Sequence, residues 1–447
     1  MKNLKYILIL AGMISSGLSQ TSNTTFIANI NDYPAIGYND CWGYSAPNGN
    51  EYALLGVRNG TSIIDVTNPQ NIVEKDFIPG PNSTWKDIKT FQHYAYVVTE
   101  QLAGMQILDL SFLPDSVQLA SVYTGFQSSH NIFIDTINGL LYTEGNFSEP
   151  VRVLSLDNPL QPAQISSFGI ECHDMFVRDT LAFIAEGTQG SIGIYSVSDP
   201  FQPQLVQRLY IPAGGYAHNV WTNTSNTLMA TTEETPGKTV KFWDISDLNN
   251  ISLLGEYLGG SSLAHNVFLL GHYAYISHYE SGLKIVDISD PTSPVEAGFY
   301  DTYPQGEGPN FNGAWGTYPY TENGMIFISD FTSGLTIVTF DTQAVGITEP
   351  EQTVPGEFSL EQNFPNPFNP STSITYQLPK MTHIKLQVFN ILGQEIRTLV
   401  NTIQGAGRYE VTWNGRNTQG ISVPAGIYIY RLQSAEFSEI KKMVFTK

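Results

Sequence analysis

The chain has 447 residues, too many for one ordinary core, and its 41% hydrophobic and 14% charged residues are the balance of a folded protein with at least two domains. Gly 39, Pro 25, Tyr 24 and Phe 24 favour turns and aromatic-rich strands over helices, which points to an all-β protein. Lys+Arg 21 against Asp+Glu 41 leaves a formal net charge of −20, which repels phosphate backbones and anionic membranes and argues against nucleic acid as a partner.

The N-terminus reads as a signal peptide over residues 1–19. Lys2 and Lys5 form a basic region, Tyr6 to Met13 an apolar core, and Gly17-Leu18-Ser19 a small-residue cleavage site. The mature chain is expected to start near Gln20. No Cys follows the apolar core to carry a lipid, and no later stretch is long and apolar enough to span a bilayer, so export without a transmembrane segment is expected.

Residues 20–341 contain a repeat. His130-Asn131, His173-Asp174, His218-Asn219 and His265-Asn266 recur before apolar stretches, and Trp42-Gly43, Lys86-Asp87 and Trp315-Gly316 take the same place in three more units. The anchors 42, 86, 130, 173, 218, 265 and 315 lie 44, 44, 43, 45, 47 and 50 residues apart, the range of propeller blades. The sixth unit spells out a four-stranded antiparallel meander. Asn266 to Leu270 precedes a Gly271-His272 turn, Tyr273 to Ser277 precedes Ser281-Gly282, Leu283 to Ile288 is broken by Asp290-Pro291, and Val295 to Tyr300 follows. The third strand recurs as Ile63-Ile64-Asp65-Val66, Ile107-Leu108-Asp109-Leu110 and Trp243-Asp244-Ile245-Ser246.

The expected fold is a seven-bladed β-propeller. Its last unit lacks a fourth strand after Leu335 to Phe340, and a strand near 25–31 (Thr25 to Ile30) has the length and pattern to supply it, which would remove an exposed sheet edge. Cys41 and Cys172 fall in units one and four, on opposite sides of such a ring, so they are expected to stay unpaired.

Several segments resemble seven-bladed propellers built from LVIVD-type repeats, in particular the choice-of-anchor B group. They are Asn39-Asp40-Cys41-Trp42-Gly43-Tyr44, Trp85-Lys86-Asp87-Ile88-Lys89, Cys172-His173-Asp174 and Gly313-Ala314-Trp315-Gly316-Thr317-Tyr318-Pro319. The resemblance implies a fold and carries no defined activity.

Residues 342–356 read as an exposed linker. Beyond it, Thr372 to Leu378, Ile384 to Phe389, Gly407 to Trp413 and Gly426 to Leu432 alternate apolar and polar residues, which predicts a small Ig-like β-sandwich over 357–447. This segment resembles the type A sorting domain of the type IX secretion system. The matching residues are Leu360-Glu361-Gln362-Asn363-Phe364-Pro365-Asn366-Pro367-Phe368-Asn369-Pro370, Val388-Phe389-Asn390-Ile391-Leu392-Gly393, Trp413-Asn414-Gly415, Ala425-Gly426-Ile427-Tyr428 and Lys441-Lys442-Met443-Val444. The resemblance implies that residues 357–447 engage the type IX secretion machinery and send the protein across the outer membrane, to be released or held at the cell surface.

The start of a unit's first strand and the end of its second lie at the same face of a propeller. The repeated pairs should therefore share a face with Glu100, Glu144, Glu186, Glu233, His278 and Asp330. Convergent imidazoles and carboxylates can ligate a divalent metal ion, with His130, His173, His218, His265, Glu186, Glu233 and His278 as candidates. Trp42, Lys86, Asp87, Asn131, Asp174, Asn219, Asn266, Trp315, Glu100, Glu144 and Asp330 are the candidates for a small-ligand, glycan or protein-binding mouth.

Three readings stay open. The pairs satisfy buried backbone groups where each inner strand begins; or they form a binding mouth; or they serve a secreted metal-dependent hydrolase or lyase, with His173, His218 and His265 as ligands and Glu186 or Glu233 as base. Cys172 beside His173 is disfavoured as a catalytic dyad, because neighbours on a strand point to opposite sides.

Overall fold

The computed structural model describes residues 20–144, 151–261, 263–342, 357–369, 371–380, 382–404, 407–418 and 421–446. The signal segment 1–19 and all but the first residue of the 342–356 linker lie outside them. The described residues are all-β, with no helix, and none of them forms a helix long and apolar enough to cross a membrane.

Up to Phe340 the strands of the described residues form seven antiparallel sheets; six contain a four-stranded meander in sequence order, and the seventh has three strands in order and takes its fourth from the N-terminal segment. Sheet one is Tyr38–Ser45, Glu51–Val57, Gly60–Asp65 and Val73–Pro79. The first strands of the others are Lys86–Phe91, Ile132–Asp135, Asp174–Arg178, Ala217–Thr222, Val267–Leu270 and Ala314–Tyr318. Each first strand packs against the next, and Ala314–Tyr318 packs back against Tyr38–Ser45, so the arrangement is propeller-like.

Burial grades outward from the centre. Ile132–Asp135 is buried throughout, whereas Gln118–Tyr123, a fourth strand, is mostly exposed. The second strands, covered on both faces, are the more continuously apolar ones, as in Tyr94–Thr99 and Leu181–Ala185.

Two local devices repeat. The Asp that ends a third strand accepts a backbone N–H two residues on, as Asp65 does from Thr67 at 3.0 Å and Asp244 from Ser246 at 2.9 Å, which turns the chain into the loop. Every pairing of third and fourth strands also carries a register shift, which adds twist to the outer edge.

In sheet seven the fourth position is taken by Thr24–Ile30, which pairs antiparallel with Gly334–Phe340 and has the same shift, between Phe26 and Ala28. The preceding Thr21–Ser22 covers the outer edge of sheet six, at Phe299 and Tyr300. Asn23 fastens this crossing by donating to the Ala297 carbonyl at 2.7 Å.

The C-terminal module has a three-stranded sheet (Ser359–Leu360, Thr372–Leu378, Gly407–Trp413) and a four-stranded one (Thr382–Asn390, Glu395–Gln404, Gly426–Gln433, Ser438–Phe445). Tyr376, Trp413, Tyr430 and Met443 fill the core between them. The strands Glu395–Gln404 and Ser438–Phe445 complete the second sheet beyond those expected from alternation.

Candidate functional site

Alternate residues of each inner strand face a common channel, because side chains two apart share a side. One level holds Asp40, Asp87, Asn131, Asp174, Asn219 and Asn266. Two residues further along, Trp42, Phe133, Phe176, Trp221 and Phe268 join Tyr318 and Tyr320 in an aromatic plug; Phe176 and Trp221 meet at 4.2 Å and Trp221 and Phe268 at 4.7 Å between ring centroids.

On the other side of the polar level, at the mouth, four imidazoles form a row. His130–His173, His173–His218, His218–His265 and His265–Trp315 are 4.6, 4.1, 4.3 and 4.5 Å apart between centroids.

The row is stitched by its own hydrogen bonds. His173 Nδ1 donates to the His218 carbonyl at 3.2 Å, His218 Nδ1 to the His265 carbonyl at 3.0 Å, and His265 Nδ1 to the Trp315 carbonyl at 2.6 Å. A carbonyl only accepts, so Nδ1 carries the proton and the Nε2 lone pair is left available. Burial, reinforced by the neighbouring imidazoles, holds His173 and His218 well below the usual histidine range; burial pushes His265 down to about 3. All three are neutral at neutral pH. His130 instead meets the Glu100 carboxylate at 2.7 Å.

The second residues of the pairs stitch as well. Asp87 Oδ2 accepts from Ile132 N at 2.8 Å, Asn131 Nδ2 donates to the His173 carbonyl at 3.3 Å, Asn219 Nδ2 donates to Asp174, and Asn219 Oδ1 accepts from Val267 N at 3.0 Å. Inner strands of neighbouring sheets share no ladder, so side chains bridge them. Burial raises Asp174 to about 6 and pushes Asp40 and Glu144 well above the usual carboxylate range.

Three expectations about site residues need correction. Trp42 does not stand at the histidine position. A register shift between Tyr38 and Cys41 moves the chain along, so Asn39-Asp40 takes that place and Trp42 lies in the plug, 4.9 Å from Tyr318 and 6.4 Å from Phe268. Gly316 makes the room: a Cβ there would stand 1.8 Å from Asp40 Oδ1.

Lys86 turns away from the mouth, its ammonium 3.5 Å from the Gly60 carbonyl, and Trp85 meets Trp315 in its stead. Burial lowers Lys86 to about 8.

The acidic ring divides. Only Glu100 and Glu144 reach the pairs, Glu144 facing Asp174 with both carboxyl oxygens lacking an N–H donor. Glu186 is bound by Arg208 at 2.7 and 2.9 Å and by Ser191 at 2.7 Å, and Glu233 by Lys241. His278 lies against Gly259, and Asp330 caps its own turn through Thr332 N and Ser333 N. Second strands sit one strand out from the channel, where a buried carboxylate needs an internal cation.

The residue one further along faces the row. Glu234 Oε1 lies 3.8 Å from His218 Nε2, Tyr279 packs on His265 at 4.9 Å, and Phe331 packs on Trp315 at 4.3 Å. Ligand atoms of His218, Glu234 and His265 all lie within 4.8 Å of one another, and the Tyr279 hydroxyl donates to Glu234. A one-residue step flips the side a strand residue faces, so the Glu233-Glu234 and His278-Tyr279 doublets were the signal for this set. Cys41 and Cys172 are free and buried; Cys172 Sγ contacts the Asp174 carbonyl at 3.7 Å, not the His173 ring.

An LVIVD repeat model matches residues 261–302, the span of sheet six, and an FlgD Ig-like domain model matches residues 368–436. These define the class: an all-β, propeller-like repeat protein with an Ig-like domain at its C-terminus. No curated protein matches the chain. Among solved structures, the crystal structure of the computationally designed Ika8 protein (crystal packing No.1 in P63) is similar at 10% identity, covering 65% of this chain and 80% of that one, with a TM-score of 0.45.

Proposed function

We propose that the chain is a surface-delivered binding protein. Its seven-bladed propeller, of the choice-of-anchor B kind and closed by the N-terminal strand, holds a divalent transition-metal ion at its mouth and presents it to an extracellular ligand. The seven sheets and the contact between the first and last inner strands support the propeller reading. The motif set from Leu360 to Val444 supports a type IX sorting address, and hence a location outside the cell.

The observation that carries the metal reading is the convergence of His218, Glu234 and His265. Each histidine uses Nδ1–H to hold a backbone carbonyl, the arrangement that orients imidazole ligands, and His218 turns Nε2 toward the carboxylate. Architecture and ligation are thus compatible in one side chain. Both rings are neutral, so no proton has to be displaced from them. Two imidazoles and one carboxylate suit zinc, iron or manganese and leave coordination positions for a ligand. Trp85, Trp315, Phe331 and Tyr279 give the mouth its apolar wall.

Titrating Zn²⁺ into chelator-treated protein tests this. One site per chain is expected, weakened at least tenfold in His218→Ala and in Glu234→Gln. Equal uptake by all three proteins overturns it.

A further inference from the structure

Below the imidazole row the channel contains a second constellation of different chemistry. The cavity there, about 20 Å³, has room for a single ion or water. It is lined by oxygen-bearing side chains from six successive inner strands, together with Lys89 and a few apolar residues. We propose that this cavity binds one hard divalent cation of the calcium class through Asp40, Asp87, Asn131, Asp174, Asn219 and Asn266.

Three observations support this. The donors are carboxylate and amide oxygens, and six is within the number a calcium ion takes, whereas the mouth offers imidazole nitrogen for a softer ion. Carboxyl groups outnumber cations there: Asp40, Asp87 and Asp174 line the cavity and Glu144 faces Asp174, with Lys89 the one ammonium on the lining.

The third observation is an orphan. Asn266 is 7% exposed and lines the cavity, yet its Oδ1 has no donor, although the corresponding oxygen of Asn219 accepts from Val267 N. Lys89 sits at the edge of the site, bonded to Asp87 with its ammonium 4.3 Å above the Trp42 ring. It offsets one charge and repels a bound dication.

The experiment titrates Ca²⁺ alone into EGTA-treated full-length protein, by calorimetry and by melting temperature. One site per chain is expected, with Lys89→Met and Asn266→Asp each binding at least tenfold more tightly. Asn266→Asp should melt lower than wild type without calcium and recover when it is added.

Absence of binding in both wild type and a folded Lys89→Met overturns the proposal and leaves the cavity to water. So does a melting temperature of Asn266→Asp that calcium does not move. His218→Ala separates the two sites: it should lose zinc at the mouth and keep calcium below, so either site can fail without the other.

Discussion

His218 donates its Nδ1 proton to the carbonyl of His265 at 3.0 Å, tying sheet five to sheet six at the channel mouth. The same ring turns Nε2 toward Glu234, 3.8 Å away. The repeated histidine therefore need not be either an architectural or a ligating residue. One nitrogen replaces the ladder that neighbouring inner strands lack, and that bond fixes the tautomer that frees the other.

The strand Thr24–Ile30 pairs the N-terminal segment with the last strand before the linker, so in the proposed propeller its loss should act on the whole repeat region. Deleting residues 21–32 exposes the Gly334–Phe340 edge and removes the Asn29 amide's bonds to Ser333 O at 2.8 Å and Thr336 Oγ1 at 3.1 Å. The melting temperature should fall by roughly 10 °C, the effect of a few kcal/mol on a domain of this size. An unchanged melting curve would contradict the closure.

Glu186 is a structural anion here and not a base. Arg208→Met strands its carboxylate among buried groups, with the Ser191 and Tyr195 hydroxyls as remaining donors. Urea unfolding should show a loss of about 3 kcal/mol, as when one partner of a buried pair is removed. Zinc uptake at the mouth should be unchanged.

How far the sequence reached follows from which signals are local. Alternation, turn residues and the Asp at third-strand ends act within a few residues, so the meanders and the N-terminal closing strand could be read from pattern. Trp42 was misplaced because a register shift inside one strand leaves unit spacing almost intact. Glu233 was taken for Glu234 because pattern does not fix a strand's last residue, and one step decides between the sheet interior and the mouth. The stitching bonds of His173, His218 and His265 reach residues 45 to 50 positions away, and no local motif encodes them.

Glu51 gives a pH dependence of definite sign. Burial raises it from 4.5 to about 7. The folded chain therefore keeps a proton there that the unfolded chain has lost, and Glu51's own contribution to stability falls as pH rises from about 4.5 to about 7 and then levels. Each unit of that window is worth ~1.4 kcal/mol at most. Glu51→Gln keeps an acceptor for Ser45, which donates to Oε1 at 2.8 Å, and should remove this contribution from the slope and raise the melting temperature at pH 8. The same slope in wild type and variant would contradict the assignment.

Deleting residues 357–447 should trap the propeller in the periplasm of the native host while leaving its melting temperature unchanged. Cell fractionation and thermal unfolding of the same truncated protein check the two halves. Normal surface delivery would contradict the sorting role.

Anomalous scattering from a zinc-soaked crystal, collected on both sides of the zinc edge, tests the central claim most directly. The account predicts one peak at ~2.0–2.1 Å from Nε2 of both His218 and His265, within bonding distance of Glu234, with each Nδ1 still on its carbonyl. No peak at the mouth, or a peak bonded through Nδ1 with the inter-sheet bonds broken, would contradict it.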